Sequence, residues 1–139
     1  MTVITHEFHL NTQGFCDIQN ITEAVSGAVQ ASGLRNGTAT VFTPSATSAI
    51  TTVEYESGML ADFEAFFERV AAETWHYKHN DRWHDGNGFS HVRAALLGPS
   101  VVVPFVAGQL TLGTWQEIAF LDFDNRSRSR RIIVQMMGE

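Results

Sequence analysis

The sequence predicts an α+β domain built mainly from antiparallel sheets, and three observations carry that prediction. Strand-like and helix-like stretches follow one another without a regular strand–helix–strand rhythm, which disfavours a doubly wound parallel sheet. Four strand-like runs close the chain in succession. No repeat, low-complexity tract or linker divides the 139 residues, so residues 1–139 form a single domain with enough chain to bury a sizeable core.

Taken in order, "TVITHEFHL" alternates well enough for a strand over residues 2–10. Asp17 is placed to cap a helix over residues 18–33, where Ile18, Ile21, Val25 and Val29 recur at helical spacing and Gly33 ends the run. "GTATVFTP" and "SAITTVEYE" are rich in Val, Ile and Thr and read as strands on either side of Pro44 and Ser45. "SGMLADFEAFFERVAAETW" places Leu60, Phe63, Phe66, Phe67 and Val70 on one side of a helix and mostly charged residues on the other. A histidine-rich loop follows, then a short helix over "FSHVRAALLG", closed by Gly98 and Pro99. The closing strands are "SVVVPFV", "QLTLG", "TWQEIAFLDF" and "RRIIVQMMG". "VAGQ" supplies a tight turn between the first two, and "DNRSRS" a loop before the last.

The bulk properties narrow the function. A formal charge of −6 argues against nucleic acid as a partner, because phosphate backbones require a basic face. The one cysteine, Cys16, has no partner for an internal disulfide and no nearby histidine to draw out a thiolate, so it reads as inert and fits a reducing, cytoplasmic setting. "MTVITHEFHL" lacks the basic and apolar regions of a signal peptide, and no run approaches the ~20 apolar residues of a membrane span. Walker loops, a dinucleotide-type GxGxxG and a nucleophile-elbow serine are all missing.

The chemistry concentrates in "HYKHNDRWHDGNGFSHVR", residues 76–93, which holds four of the six histidines. His79 and His91 flank a "DGNG" stretch whose glycines permit a sharp turn, so the two can meet as a general acid–base pair or, with Asp85, as ligands of a divalent metal such as Zn or Mg. The spacing matches no strong metal signature, and solvated loop histidines would look the same. His76 and His84 read as surface residues, and His6 and His9 fall on opposite faces of a strand. Glu54 at a strand end and Asp62 at a helix start could orient the histidines or add a carboxylate. Asn87 and Arg93 are substrate-binding candidates beside the histidines. Trp115 and Gln116 could form the apolar wall and polar finger of a pocket, with Trp115 as a core residue the alternative. Arg128 and Arg130, in the cluster "DFDNRSRSRR", could hold an anionic substrate group or instead pair with Asp122 and Asp124.

Five segments together, "SATSAITTVEYESG", "YKHND", "GFSHVRAALLGPS", "GQLTLGTWQEIAFLDFDNRSRSRR" and "VQMMGE", resemble the YjbQ family, also called UPF0047, from about residue 36 to the C-terminus. The resemblance implies a small β-sandwich with about three helices, assembled as a homotrimer. It also implies a weak, secondary thiamine-phosphate synthase activity beside an unsettled primary role. The family's "YxH" and "SH" positions match His79 and His91, and its acidic residues match Glu54 and Asp62. Its histidine in "HTSA" falls on Ser45, a departure that removes one basic group from the expected site. The sequence thus predicts a His/carboxylate site for a small anionic molecule, either catalytic or a binding site without turnover.

Overall fold

A computed structural model of the chain describes residues Met1–Glu139. Strand β1 (Thr2–Thr12) pairs antiparallel along its whole length with the closing strand β8 (Arg128–Gly138), Thr2 opposite Gly138 and Thr12 opposite Arg128. On the other side of β8 lie β3 (Gly37–Phe42), β5 (Ser100–Val106) and the short β6 (Gln109–Leu110), giving a five-stranded sheet of order β1-β8-β3-β5-β6. A second sheet, order β2-β7-β4, contains β2 (Asp17–Asn20), β7 (Glu117–Asp122) and β4 (Ser48–Val53). Every pairing is antiparallel, as the mixed sequence rhythm implies.

Strand alternation sorts the apolar residues into two cores. Ala39, Val41, Val103, Phe105, Ile132, Val134 and Met136 of the large sheet meet Ile50, Ile118 and Phe120 of the small one, with Val25 and Val29 of helix α1 (Thr22–Ser32) packed beside them. The opposite face of the small sheet, Ala49, Ala119 and Leu121, packs on Phe67 of α2 (Ser57–Val70) and Ala94 of α4 (Gly88–Leu97). The small sheet is therefore buried on both faces. The outer face of the large sheet keeps Val3, Phe42, Val102, Val106 and Met137 exposed.

Three expectations need correction. Residues Asp17–Asn20 form a strand against β7 rather than the start of a helix, because Ile18 and Ile21 satisfy a short strand as well as a helical stripe. The Asp17 carboxylate accepts from the Gln13 N–H instead of capping, and Asn20 Oδ1 accepts from Thr22 N at the true helix start. Helix α2 stops at Val70, not 75. The histidine-rich loop contains a fourth helix, α3 (Lys78–Trp83), where the resemblance implied about three. None of its residues is buried, so no apolar period marked it in the sequence.

Candidate functional site

Two polar clusters meet beside the end of β7. The first is a knot of paired charges. Asp122, fully buried, accepts from Thr12 Oγ1 at 2.6 Å, from Arg130 Nε at 2.7 Å and from Arg130 Nη2 at 2.9 Å. The same guanidinium donates to Ser45 Oγ at 2.9 Å and Thr47 Oγ1 at 2.7 Å. Asp124, also buried, accepts from Arg128 Nη2 at 2.6 Å and Nε at 3.1 Å, from Thr47 Oγ1 and from Asn87 Nδ2. Burial alone would raise the Asp124 pKa, but hydrogen bonds from Arg128, the Asn125 backbone and Asn87 outweigh it and bring the carboxyl down to about 2. Of the alternatives open for Arg128 and Arg130, the structure shows pairing with Asp122 and Asp124, although the Nη1 edge of Arg128 lies outside its pair.

The second cluster is the histidine corner. The Gly86 backbone has a positive φ of 70°, and a Cβ on Gly88 would lie 2.5 Å from Tyr77 Cβ, so the chain doubles back tightly between α3 and α4 only with glycine at these places. Asn80 Oδ1 accepts from Gly88 N at the head of α4. This turn sets the His79 and His91 rings 4.2 Å apart, tilted by 38°. His79 Nδ1 is buried and has no hydrogen-bond partner in the protein; the nearest carboxylate oxygen, of Asp85, is 3.5 Å away. The His91 pKa is lowered, first by burial and then by the neighbouring His79, so the ring stays neutral near neutral pH. His91 also lines a cleft of about 340 Å³ with Ser45, Ala46, Ser48, Ala94 and Pro99. Ser45, where the family pattern has histidine, thus lines the same cleft, held by Arg130.

The other sequence candidates scatter. Glu54 and Asp62 are exposed, and neither is among the charges acting on His91, which are His79, Asp85 and Asp124. Arg93 is fully buried. Its Nε donates to Ala71 O, the carbonyl left free where α2 ends, its Nη2 pairs with Glu68 at 2.6 Å, and its guanidinium lies over Phe67, Phe89 and Phe123. The expected substrate cation is a pin between α2 and α4, with no surface to offer a ligand. Trp115 is 72% exposed, so it is neither a core residue nor part of the histidine cleft, and Gln116 is tied to Gly113 N and Thr52 Oγ1 elsewhere. His76 pairs with Asp81 on the surface, and His84 ends α3 in a left-handed conformation. Burial pushes the Cys16 thiol up to about 12, which fits an inert cysteine. No group of three or more His, Cys, Asp or Glu is placed to hold a metal ion. Thr12 and Thr47, which complete the charge knot, gave no local signal, since their partners lie 110 and 77 residues away.

Comparison with known proteins places this geometry. The family profile described as UPF0047 protein YjbQ-like matches residues 6–139. A UPF0047 protein of Methanothermobacter thermautotrophicus is 42% identical over 139 residues, covering 100% of this chain and 95% of that one. Another, from Archaeoglobus fulgidus, is 43% identical over 131 residues, covering 94% and 99%. Among solved structures, a protein of unknown function from Sulfolobus solfataricus described as YbjQ-like superposes with a TM-score of 0.94 at 30% identity, covering 99% of each chain. A YjbQ/UPF0047 protein from Clostridium acetobutylicum gives 0.87 at 34% identity, covering 95% of this chain and 99% of that chain.

Proposed function

The chain belongs to the UPF0047 family of YjbQ-like proteins, and from that premise we propose that the cleft beside His79 and His91 is an acid–base site for a small phosphate-bearing molecule, with thiamine-phosphate synthase as a secondary reaction. The observation that carries this reading is the buried, unpartnered Nδ1 of His79 against the neutral His91 ring at a cleft wall. An unsatisfied buried polar atom costs about 1–3 kcal/mol, and such costs gather at functional sites.

In that reaction a C–N bond forms between a thiazole phosphate and a pyrimidine diphosphate while the C–O bond to pyrophosphate breaks. Negative charge grows on the departing oxygens. A neutral His91 has one N–H to donate to them and one nitrogen to take a proton. The Ser45 hydroxyl, polarised by Arg130, lines the cleft with His91 and supplies a further donor, while Arg128 stands outside that lining. Both guanidiniums are already neutralised by Asp122 and Asp124, which suits weak rather than dedicated phosphate holding. The same neutralisation favours a second reading, a protein that holds an anionic metabolite without turning it over. His79, His91 and Asp85 are not placed together as a metal-holding group, so no step is assigned to a divalent metal.

The proposed assembly is a homotrimer that buries the exposed apolar residues on the outer face of the five-stranded sheet. Light scattering of the purified protein reads the subunit number directly; a monomer at micromolar concentration contradicts it. The functional reading is tested by complementing a strain that lacks thiamine-phosphate synthase. Wild type restores growth without thiamine, and His79→Ala and His91→Ala do not. Full growth with both variants removes the site assignment.

A further inference from the structure

The cleft that Ser45 and His91 line has a polar end and an apolar wall. Ser45 Oγ accepts from Arg130 Nη1 at 2.9 Å and from the Thr47 backbone N–H at 3.2 Å, so both of its lone pairs are taken. Thr47 Oγ1, 3.4 Å away, lies beyond the usual reach of an O–H···O bond. The Ser45 hydroxyl is therefore left with a proton to give. The neutral His91 ring of the same lining adds one N–H. The wall is different. Ala95 stands one helical turn after His91 on the same face of α4, with Ala94 beside it. Ala46, from the β3–β4 connection, and Pro99, just past α4, add a methyl group and a ring. Other polar atoms here are already engaged. Ser48 is buried with its hydroxyl 2.8 Å from that of Thr43, and the Gly98 and Pro99 carbonyls accept from Ile50 N and Thr43 N. At about 340 Å³ the cleft has room for a six-membered ring besides an anionic head.

Building on the phosphate-binding reading above, we infer that the ligand of this cleft is the phosphate ester of an apolar, ring-bearing alcohol rather than a sugar phosphate. Its phosphate oxygens accept from Ser45 and His91, and its ring lies along Ala46, Ala94, Ala95 and Pro99. The discrimination comes from desolvation: hydroxyl groups on the body would leave water for methyl groups that cannot bond them.

The experiment compares cyclohexyl phosphate with glucose 1-phosphate on the full-length protein by isothermal titration calorimetry, with inorganic phosphate as the head group alone. The two esters share a six-membered ring and a phosphate head, and differ in the ring oxygen and hydroxyl groups. Cyclohexyl phosphate is expected to bind about tenfold more tightly than either other probe. Ala95→Leu, at an exposed helical position, fills the wall and is expected to erase that advantage while inorganic phosphate binds as before. If cyclohexyl phosphate gains nothing over glucose 1-phosphate, the inference falls and the phosphate reading stands. A cyclohexyl preference that survives Ala95→Leu places the ring elsewhere and also overturns it. Binding of none of the three removes the phosphate reading and this inference with it. A second measurement uses wild type alone. The methyl resonances of Ala94 and Ala95 should shift with cyclohexyl phosphate and stay in place with inorganic phosphate; methyl groups that ignore cyclohexyl phosphate at saturation contradict the assigned wall.

Discussion

The charge knot and the histidine corner share Asp124 yet are built on opposite rules. In the knot every charged group is paired. Asp122 accepts from Thr12 and twice from Arg130, and Arg130 also donates to Ser45 and Thr47. In the corner, two buried polar atoms have no partner, and two imidazoles that repel each other when charged are pressed together. A satisfied network fixes the ends of β1, β7 and β8 relative to one another. The two unpartnered atoms of the corner, His79 Nδ1 and Asn87 Oδ1, contribute no hydrogen bond to the fold, which is the signature expected of a site kept for chemistry.

The largest expected contrast is in stability. Asp122→Ala leaves the Arg130 guanidinium, 12% exposed, without its carboxylate, and should destabilise the protein by about 3–5 kcal/mol in denaturant unfolding. A loss below about 1 kcal/mol would mean that the knot is not a structural unit. Acid should then separate the two regions. Asp124 has its pKa depressed to about 2, so its stabilisation is fully present above the ordinary carboxylate value of 3.8 and is lost as pH falls from there through about 2. That contribution is about 2 kcal/mol by linkage, and Asp124→Asn should flatten the acid limb of the stability curve over this window.

The corner should behave differently. His91→Ala and His79→Ala should each change unfolding stability by no more than about 1 kcal/mol, since the rings are only half-buried and the polar atoms are unpaired. A loss as large as that of Asp122→Ala would make the corner structural too. The smallest effect is a titration. The His91 imidazole should ionise below 6.5, because burial first and His79 second oppose its charge, and His79→Ala should move it upward. With a lowered pKa, His91 favours folding above the unfolded value of 6.5, and that contribution fades as pH falls through the folded value. NMR of the ring protons reads both points.

Much of this was legible in residue order. Alternation marked β1, Val, Ile and Thr content marked β3 and β4, and the Phe63–Phe67 stripe marked α2. The "DGNG" turn permits His79 and His91 to meet, and their rings lie 4.2 Å apart. What was hidden has a common cause. Residues 18 and 21 fit strand and helix alike, and pairing with β7, about a hundred residues away, decided between them. Helix α3 buries nothing and so had no period to read. Arg93 looked like a ligand-binding cation because Phe67, Phe123 and the free Ala71 carbonyl, which enclose it with Phe89, come from outside α4. Glu54 and Asp62 were attractive by position along the chain, but topology leaves them exposed and apart from the charges around His91.

The central claim is that the histidine corner performs chemistry while the adjoining knot holds the fold. Its most direct test is the rate of thiamine-phosphate formation by His91→Ala from the pyrimidine diphosphate and the thiazole phosphate, on protein shown to melt cooperatively near the wild-type temperature. The account predicts a folded protein with a rate reduced about a hundredfold or more relative to wild type. A folded His91→Ala protein that forms product at the wild-type rate would contradict it.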